Sequence, residues 1–165
     1  ISSDIADKTI TLMAPSKTFN LPGFGCSFAI ISNPELRIRY KKACAGIVPD
    51  PPAMGFALAE AAYRYGEPWR QRLLHYLRAN RDLALSRLGA IPGLFPFPVS
   101  ATYLLWIDAR ELGVENPQQF FEEAGVGLSD GADFGSPGFL RINLGCTRAL
   151  LEQALDRMEQ AVGAR

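Results

Sequence analysis

Two basic residues stand where their charge could do chemistry. The chain has 165 residues and 17 basic ones, and only Lys8, Lys17, Lys41 and Lys42 among these are lysines. Lys17 lies in "TLMAPSKTFNLPGFG" (residues 11–25), between the hydroxyl residues Ser16 and Thr18 and just beyond a strand-like run that Pro15 stops. A lysine in an apolar, proline-bounded setting is a candidate Schiff-base residue. Desolvation disfavours the ammonium and lowers the pKa, so the amine becomes available as a nucleophile. Ser16 and Thr18 are suited to hydrogen-bond a phosphate. Composition and spacing by themselves favour a solvated loop lysine, since most lysines are exposed. The second residue is Arg141. In "FLRINLG" (139–145) strand alternation puts Leu140, Ile142 and Leu144 on one face and Phe139, Arg141 and Asn143 on the other. A guanidinium on a rigid strand suits bidentate capture of a carboxylate. General frequency favours an exposed arginine in a surface ion pair.

Other chemistry is weakly represented. The glycine-rich stretch "VGLSDGADFGSPG" (126–138) could admit a ligand close to backbone, although such loops are usually connectors. Asp130 and Asp133 do not make a metal site, and no residues of the sequence are read as metal ligands. His75, the one histidine, lies off the apolar face of its helix and reads as exposed, which leaves Ser/His/Asp catalysis without a base. Trp69 and Trp106 read as packing residues. Glycine-rich phosphate signatures of the P-loop or dinucleotide type are absent.

The elements that must hold these residues follow from periodicity and punctuation. "KTITLM" (8–13) reads as a short strand, and "GCSFAIIS" (25–32) as a second one, of a kind buried on both faces. Ser32 or Asn33 before Pro34 starts a helix ending at Gly46, and Asp50 with two prolines opens another that stops near Gly66. The longest helix covers "PWRQRLLHYLRANRDLALSRL" (68–88), with Trp69, Leu73, Tyr76, Leu77, Ala84 and Leu88 on one face. A Pro/Gly-rich connector, "GAIPGLFPFPVS", has irregular or edge character. It leads into the strand "ATYLLWIDAR", a short helix from Pro117, the glycine-rich loop and the strand of Arg141. The closing helix has Thr147 as N-cap and Leu151, Leu155, Met158 and Val162 on one face. This order is α/β at first and α+β in the last hundred residues.

Bulk properties narrow the partners. Formal net charge is +0 and pI is about 6.8, which gives no footprint for nucleic acid or an anionic membrane. No apolar run is long enough to span a bilayer. Cys26, Cys44 and Cys146 are odd in number and lack metal-ligand spacing, which suits reduced thiols in a cytoplasmic protein. The opening "ISSDIADKTITLM" has no initiator Met and enters a strand-like run early, which reads as a chain whose N-terminal part is missing.

The segment "APSKTFNLPG" (14–23) resembles the cofactor-lysine segment of fold-type I pyridoxal-phosphate enzymes of the class I/II aminotransferase-like group, in particular the cystathionine (cysteine-S-conjugate) β-lyase branch. The resemblance continues in order through "NPELR", "YGEPWRQRLLHYLRANRD", "ATYLLWID" and "VGLSDGADFGSPGFLRINLGC". It implies a C-terminal portion of an enzyme more than twice as long. Residues 1–66 would be the end of the large cofactor-binding domain and 67–165 the small C-terminal domain. It also implies pyridoxal 5'-phosphate as cofactor, Lys17 as its covalent anchor and a catalytic residue, Ser16 as a cofactor-binding residue, and Arg141 as the captor of the substrate α-carboxylate.

The implied activity is a C–S β-lyase giving pyruvate, ammonia and a thiol from a small-molecule amino-acid substrate. An aminotransferase of the same fold and a fragment inactive in isolation are the alternatives. The resemblance further implies a homodimer for the complete enzyme. The chain departs from the group at three positions. Many aminotransferases have serine at the position of Ala14 and arginine at that of Gly25, and both departures favour the lyase branch. Asp130 stands where many relatives have proline, which bears on substrate preference.

Overall fold

Asparagine and proline set two helix starts in the computed structural model of the chain, which describes residues 2–165. The Asn33 side chain accepts from the backbone N–H groups of Glu35 (2.9 Å) and Leu36 (3.1 Å). Pro34 takes the first helical position, where a missing N–H costs nothing. Asn116 and Pro117 repeat the device, Asn116 accepting from Gln119 N–H at 3.1 Å. Thr147 caps the last helix through Leu150 N–H. In chain order the elements are α1 (Ser3–Ala6), β1 (Thr11–Met13), β2 (Phe28–Ile30), α2 (Pro34–Cys44), α3 (Ala53–Tyr65), α4 (Glu67–Leu88), β3 (Phe95–Pro96), β4 (Leu104–Asp108), α5 (Pro117–Glu123), β5 (Ser129–Asp130), a 3-10 turn (Gly131–Phe134), β6 (Phe139–Asn143) and α6 (Arg148–Gly163).

The chain divides into two compact units, the first ending at Arg72 and the second covering Leu73–Arg165, so the division falls within α4. Ile1 lies outside the described residues. In the first unit β1 and β2 form an antiparallel pair with Leu12 opposite Ala29. The expectation that the second strand is buried on both faces is overturned: Phe28 and Ile30 are 41% and 53% exposed. Burial on both faces needs a covering layer on each side, and among the described residues none covers Phe28 and Ile30. Ile31, just past the strand, is the buried aliphatic side chain there. The helix α1 lies where the sequence suggested only the approach to a strand. It is a single turn, too short for periodicity to reveal.

The second unit is a four-stranded antiparallel sheet in the order β3-β4-β6-β5. Leu105 and Ile107 of β4 and Leu140 and Ile142 of β6 alternate onto one face and are buried. They share a core with Ala84 and Leu88 of α4, Phe121 of α5, and Leu151, Leu155 and Met158 of α6. The expected division of β6 into Leu140, Ile142 and Leu144 inside against Phe139, Arg141 and Asn143 on the other face holds. The stretch 126–138, read as loop throughout, contains β5. Two residues are too few for a periodic signal, and only their pairing with β6 defines them as strand.

The face of α4 is also less uniform than its spacing implied. Ala84 and Leu88 are buried, whereas Trp69 and Tyr76 stay about 40% exposed. Asn80 is fully buried on α4. Its Nδ2 donates to the carbonyls of Leu144 (2.9 Å) and Cys146 (3.1 Å), which ties down the chain leaving β6. The three cysteines are free thiols. Among the described residues no helix is long and apolar enough to cross a membrane.

Candidate active site

The turn that follows β1 is pinned on both sides of Lys17. Pro15 is buried before it. Phe19 after it meets Tyr63 of α3 edge-on, with ring centroids 5.7 Å apart at 82°. The Phe19 ring also lies against Gly66, where a Cβ would come within 2.7 Å of a ring carbon. Phe19 N–H donates to Pro15 O at 2.9 Å and Leu21 N–H to Ser16 O at 2.8 Å. Asn20, at φ 54°, supplies the left-handed residue that closes such a turn, a conformation asparagine tolerates. The loop beyond rests on α3 at Gly55, where a Cβ would lie 3.3 Å from the carbonyl oxygens of Phe24 and Gly25.

Lys17 itself is exposed, and among the described residues its Nζ takes part in no ion pair or hydrogen bond. The apolar enclosure expected around it is therefore not built by this unit. Pro15 turns inward, Ser16 is half-buried, and Lys17, next along the turn, points outward. What the unit does supply is a primary amine on a fixed backbone with the Ser16 hydroxyl adjacent. That donor set fits a cofactor carrying both an aldehyde and a phosphate.

Arg141 sits at the centre of a cross-strand row. Its backbone is paired with Trp106 of β4 on one side and Ser129 of β5 on the other. Its Nη2 donates to Ser129 Oγ at 3.1 Å, and its Cζ lies 4.5 Å from the centroid of the Phe134 ring. Among the described residues no carboxylate lies within ion-pair distance of it. The surface ion pair that frequency favoured is thus not formed. A half-buried guanidinium with one donor on a hydroxyl and a ring on one face keeps a pair of N–H groups for an incoming carboxylate.

Arg110, on the same sheet face, shows the contrast. Its Cζ lies 4.8 Å from the Phe139 centroid, but its Nη2 is bonded to Asp108 Oδ2 at 2.7 Å. Hydrogen bonds from the Arg110 side chain hold the Asp108 carboxyl below its ordinary value of 3.8, desolvation partly opposing them. A depressed folded value means that the unfolded chain binds the proton first. The stabilisation is then full above about pH 4 and is lost as pH falls through the lower folded value. The thermal midpoint of the native chain should exceed that of Asp108→Asn at neutral pH, and the gap should narrow as pH falls below the ordinary carboxylate value. A gap of constant size across this range would count against the ion pair.

Ser16 and Lys17 share one turn of the first unit, and Arg141 lies on the sheet of the second. Sequence reasoning missed Ser129, Phe134 and Asn80. Asn80 had a local signal, a polar residue on the apolar side of a helical repeat. Ser129 and Phe134 had none, because only sheet register and the 3-10 turn bring them to Arg141. Trp106, read as packing, does pack: it stacks on Phe139 (5.8 Å, 16°) and meets Phe134 edge-on (5.8 Å, 81°). His75 is exposed.

The family model described as aminotransferase class I and II matches residues 3–158. Cystathionine beta-lyase PatB of Bacillus subtilis (strain 168) is 32% identical over 173 residues, covering 98% of this chain and 44% of that protein. The crystal structure of OvoB superposes with a TM-score of 0.96 at 48% identity, covering 99% of this chain and 43% of that one. Cystalysin from Treponema denticola, whose structure contains a pyridoxal 5'-phosphate cofactor, does so with a TM-score of 0.91 at 30% identity over 99% of this chain and 43% of its own. The chain therefore spans less than half the length of the proteins it matches.

Proposed function

We propose, for a chain that belongs to the class I and II aminotransferase family, that it works as part of a pyridoxal-phosphate-dependent C–S β-lyase acting on cystathionine or other cysteine S-conjugates. The observation that carries this reading is the amine of Lys17, without a partner among the described residues, on a turn pinned by Pro15, Phe19 and Asn20. The lyase branch is supported by the similarity to a cystathionine beta-lyase. Within this reading residues 1–66 belong to the large cofactor domain and 67–165 form the small domain. The complete enzyme is a cytoplasmic homodimer with a small-molecule amino acid as substrate.

The cofactor, when bound, supplies an electron sink for the carbanion formed at the substrate Cα. The residues of this chain do the rest. Lys17 Nζ would anchor the cofactor, and the Ser16 hydroxyl would donate to its phosphate. Arg141 takes the substrate carboxylate through two N–H groups and so orients Cα. Lys17 Nζ, as a free amine, removes the Cα proton. The Cβ–S bond then breaks: the thiolate leaves with the electron pair of that bond, and the pair left at Cα forms the Cα–Cβ double bond. Water completes the conversion of the three-carbon remainder to pyruvate and ammonia.

The same residues would serve transamination, with Lys17 again the group that moves the proton, and the family description supports that second reading. The two separate cleanly by experiment. The complete enzyme, given pyridoxal phosphate and L-cystathionine but no 2-oxo acid, should release pyruvate, ammonia and thiol in equal amounts. Amino transfer that requires a 2-oxo acid, with no pyruvate in its absence, would replace the lyase reading by the aminotransferase one. Complete silence from the isolated 165-residue chain beside an active complete enzyme would identify the chain as a part that needs the remainder.

A further inference from the structure

We propose that Phe134 is a positioning residue for Arg141, holding its guanidinium in the carboxylate-binding orientation and thereby setting the affinity for the amino-acid substrate. This rests on the role given to Arg141 above. An arginine that captures an anion must be both ordered and uncompensated. A carboxylate partner would order it and cancel its charge, as Asp108 does for Arg110. An aromatic face orders it through the ring quadrupole and leaves the charge available. Arg141 has that second kind of anchor: the Phe134 ring with its centroid 4.5 Å from Cζ, and Ser129 Oγ, a neutral acceptor, at 3.1 Å.

The ring is itself held firmly. Trp106, the cross-strand neighbour of Arg141, meets it edge-on at 5.8 Å and is backed by Phe139. The 3-10 turn that carries Phe134 begins at Asp130, whose Oδ1 accepts from Ala132 N–H at 2.9 Å, and ends at Gly135 with φ 75°. Gly131 in that turn leaves no room for a Cβ, which would run into the carbonyls of Ser136 and Phe139. Phe134 is nevertheless 51% exposed. Burial therefore does not account for the place of the ring, whose neighbours are Trp106 and the Arg141 guanidinium.

The test uses the complete enzyme loaded with pyridoxal phosphate, with propionate binding followed by calorimetry. Kinetics with a cysteine S-conjugate are read beside equilibrium binding of propionate, a carboxylate that cannot react. Phe134→Leu should raise KM and the propionate Kd about tenfold with kcat changed less than about twofold, while Phe134→Tyr, which keeps the π face, stays near native. Phe134→Met provides the same comparison should the leucine variant not fold. If Arg141→Ala abolishes propionate binding but Phe134→Leu matches native, the positioning role is overturned and the Arg141 role stands. If Arg141→Ala leaves propionate binding and KM unchanged, both fall together.

Discussion

On the proposed lyase reading, replacing Lys17 with alanine should lower C–S cleavage by the complete enzyme by about 10²–10⁴-fold for the loss of the proton-transfer role alone, and further for the loss of the covalent anchor. The prediction is sharp because the side chain does nothing else in the structure. Lys17 is exposed and takes part in no ion pair or hydrogen bond among the described residues. The turn is held instead by Pro15, by the Phe19 ring on Tyr63 and by the bond from Leu21 to Ser16. Stability of the isolated chain should therefore change by less than about 0.5 kcal/mol, as for surface substitutions away from special features.

Borohydride reduction of the loaded enzyme followed by peptide mapping should place a pyridoxyl mass on the peptide that contains Lys17. The label should be absent from Lys17→Ala. Lys17→Arg keeps a positive charge but offers no nucleophilic amine, so it should be as inactive as alanine. An active Lys17→Ala enzyme, or a label that persists on another peptide, removes Lys17 from the mechanism. A variant that loses activity together with its folded structure would instead make the lysine a structural residue, contrary to the contacts described.

The largest effect on stability is expected in the second unit, at Phe121. Its side chain is fully buried. It anchors α5, a helix of 7 residues that is too short to be stable without packing. It also fixes the turn after α5, since Val126 N–H donates to its carbonyl at 2.8 Å. Phe121→Ala should cost about 3–5 kcal/mol, combining lost burial with the cavity left behind. Phe121→Leu should cost less because it keeps most of the apolar volume. Leu150→Ala on α6, 55% exposed, should stay within about 0.5 kcal/mol. Urea midpoints followed by Trp106 fluorescence, with Trp69 replaced by phenylalanine, read these differences in the unit that contains them. A loss below about 1 kcal/mol for Phe121→Ala would contradict the packing described here.

The elements were legible wherever one local rule acted alone. Asn33–Pro34 and Asn116–Pro117 announce helix starts because a side-chain acceptor precedes a residue with no N–H to satisfy. Thr147 does the same for the closing helix, whose Leu151, Leu155 and Met158 are buried together as their spacing implied. The period of two in residues 139–144 divided β6 into a core face and the face of Arg141. Lys17 and Arg141 were legible as candidates because residue type and punctuation are local.

The remainder was not local. The exposure of Phe28 and Ile30 depends on which layers cover β2, and an apolar run looks the same covered or bare. The exposure of Lys17 depends on the direction its turn takes after Pro15, and no composition rule contains that direction. The two residues of β5 exist as strand only through register with β6. By itself, then, the sequence determined where helices begin, which side of β6 is apolar, and which amine and guanidinium were worth watching, since each depends on residues near one another in the chain. Tertiary structure alone decided that Arg141 rests on Phe134 and Ser129 with its charge uncancelled. That arrangement is made by cross-strand pairing and a 3-10 turn, and distance along the chain carries no record of either.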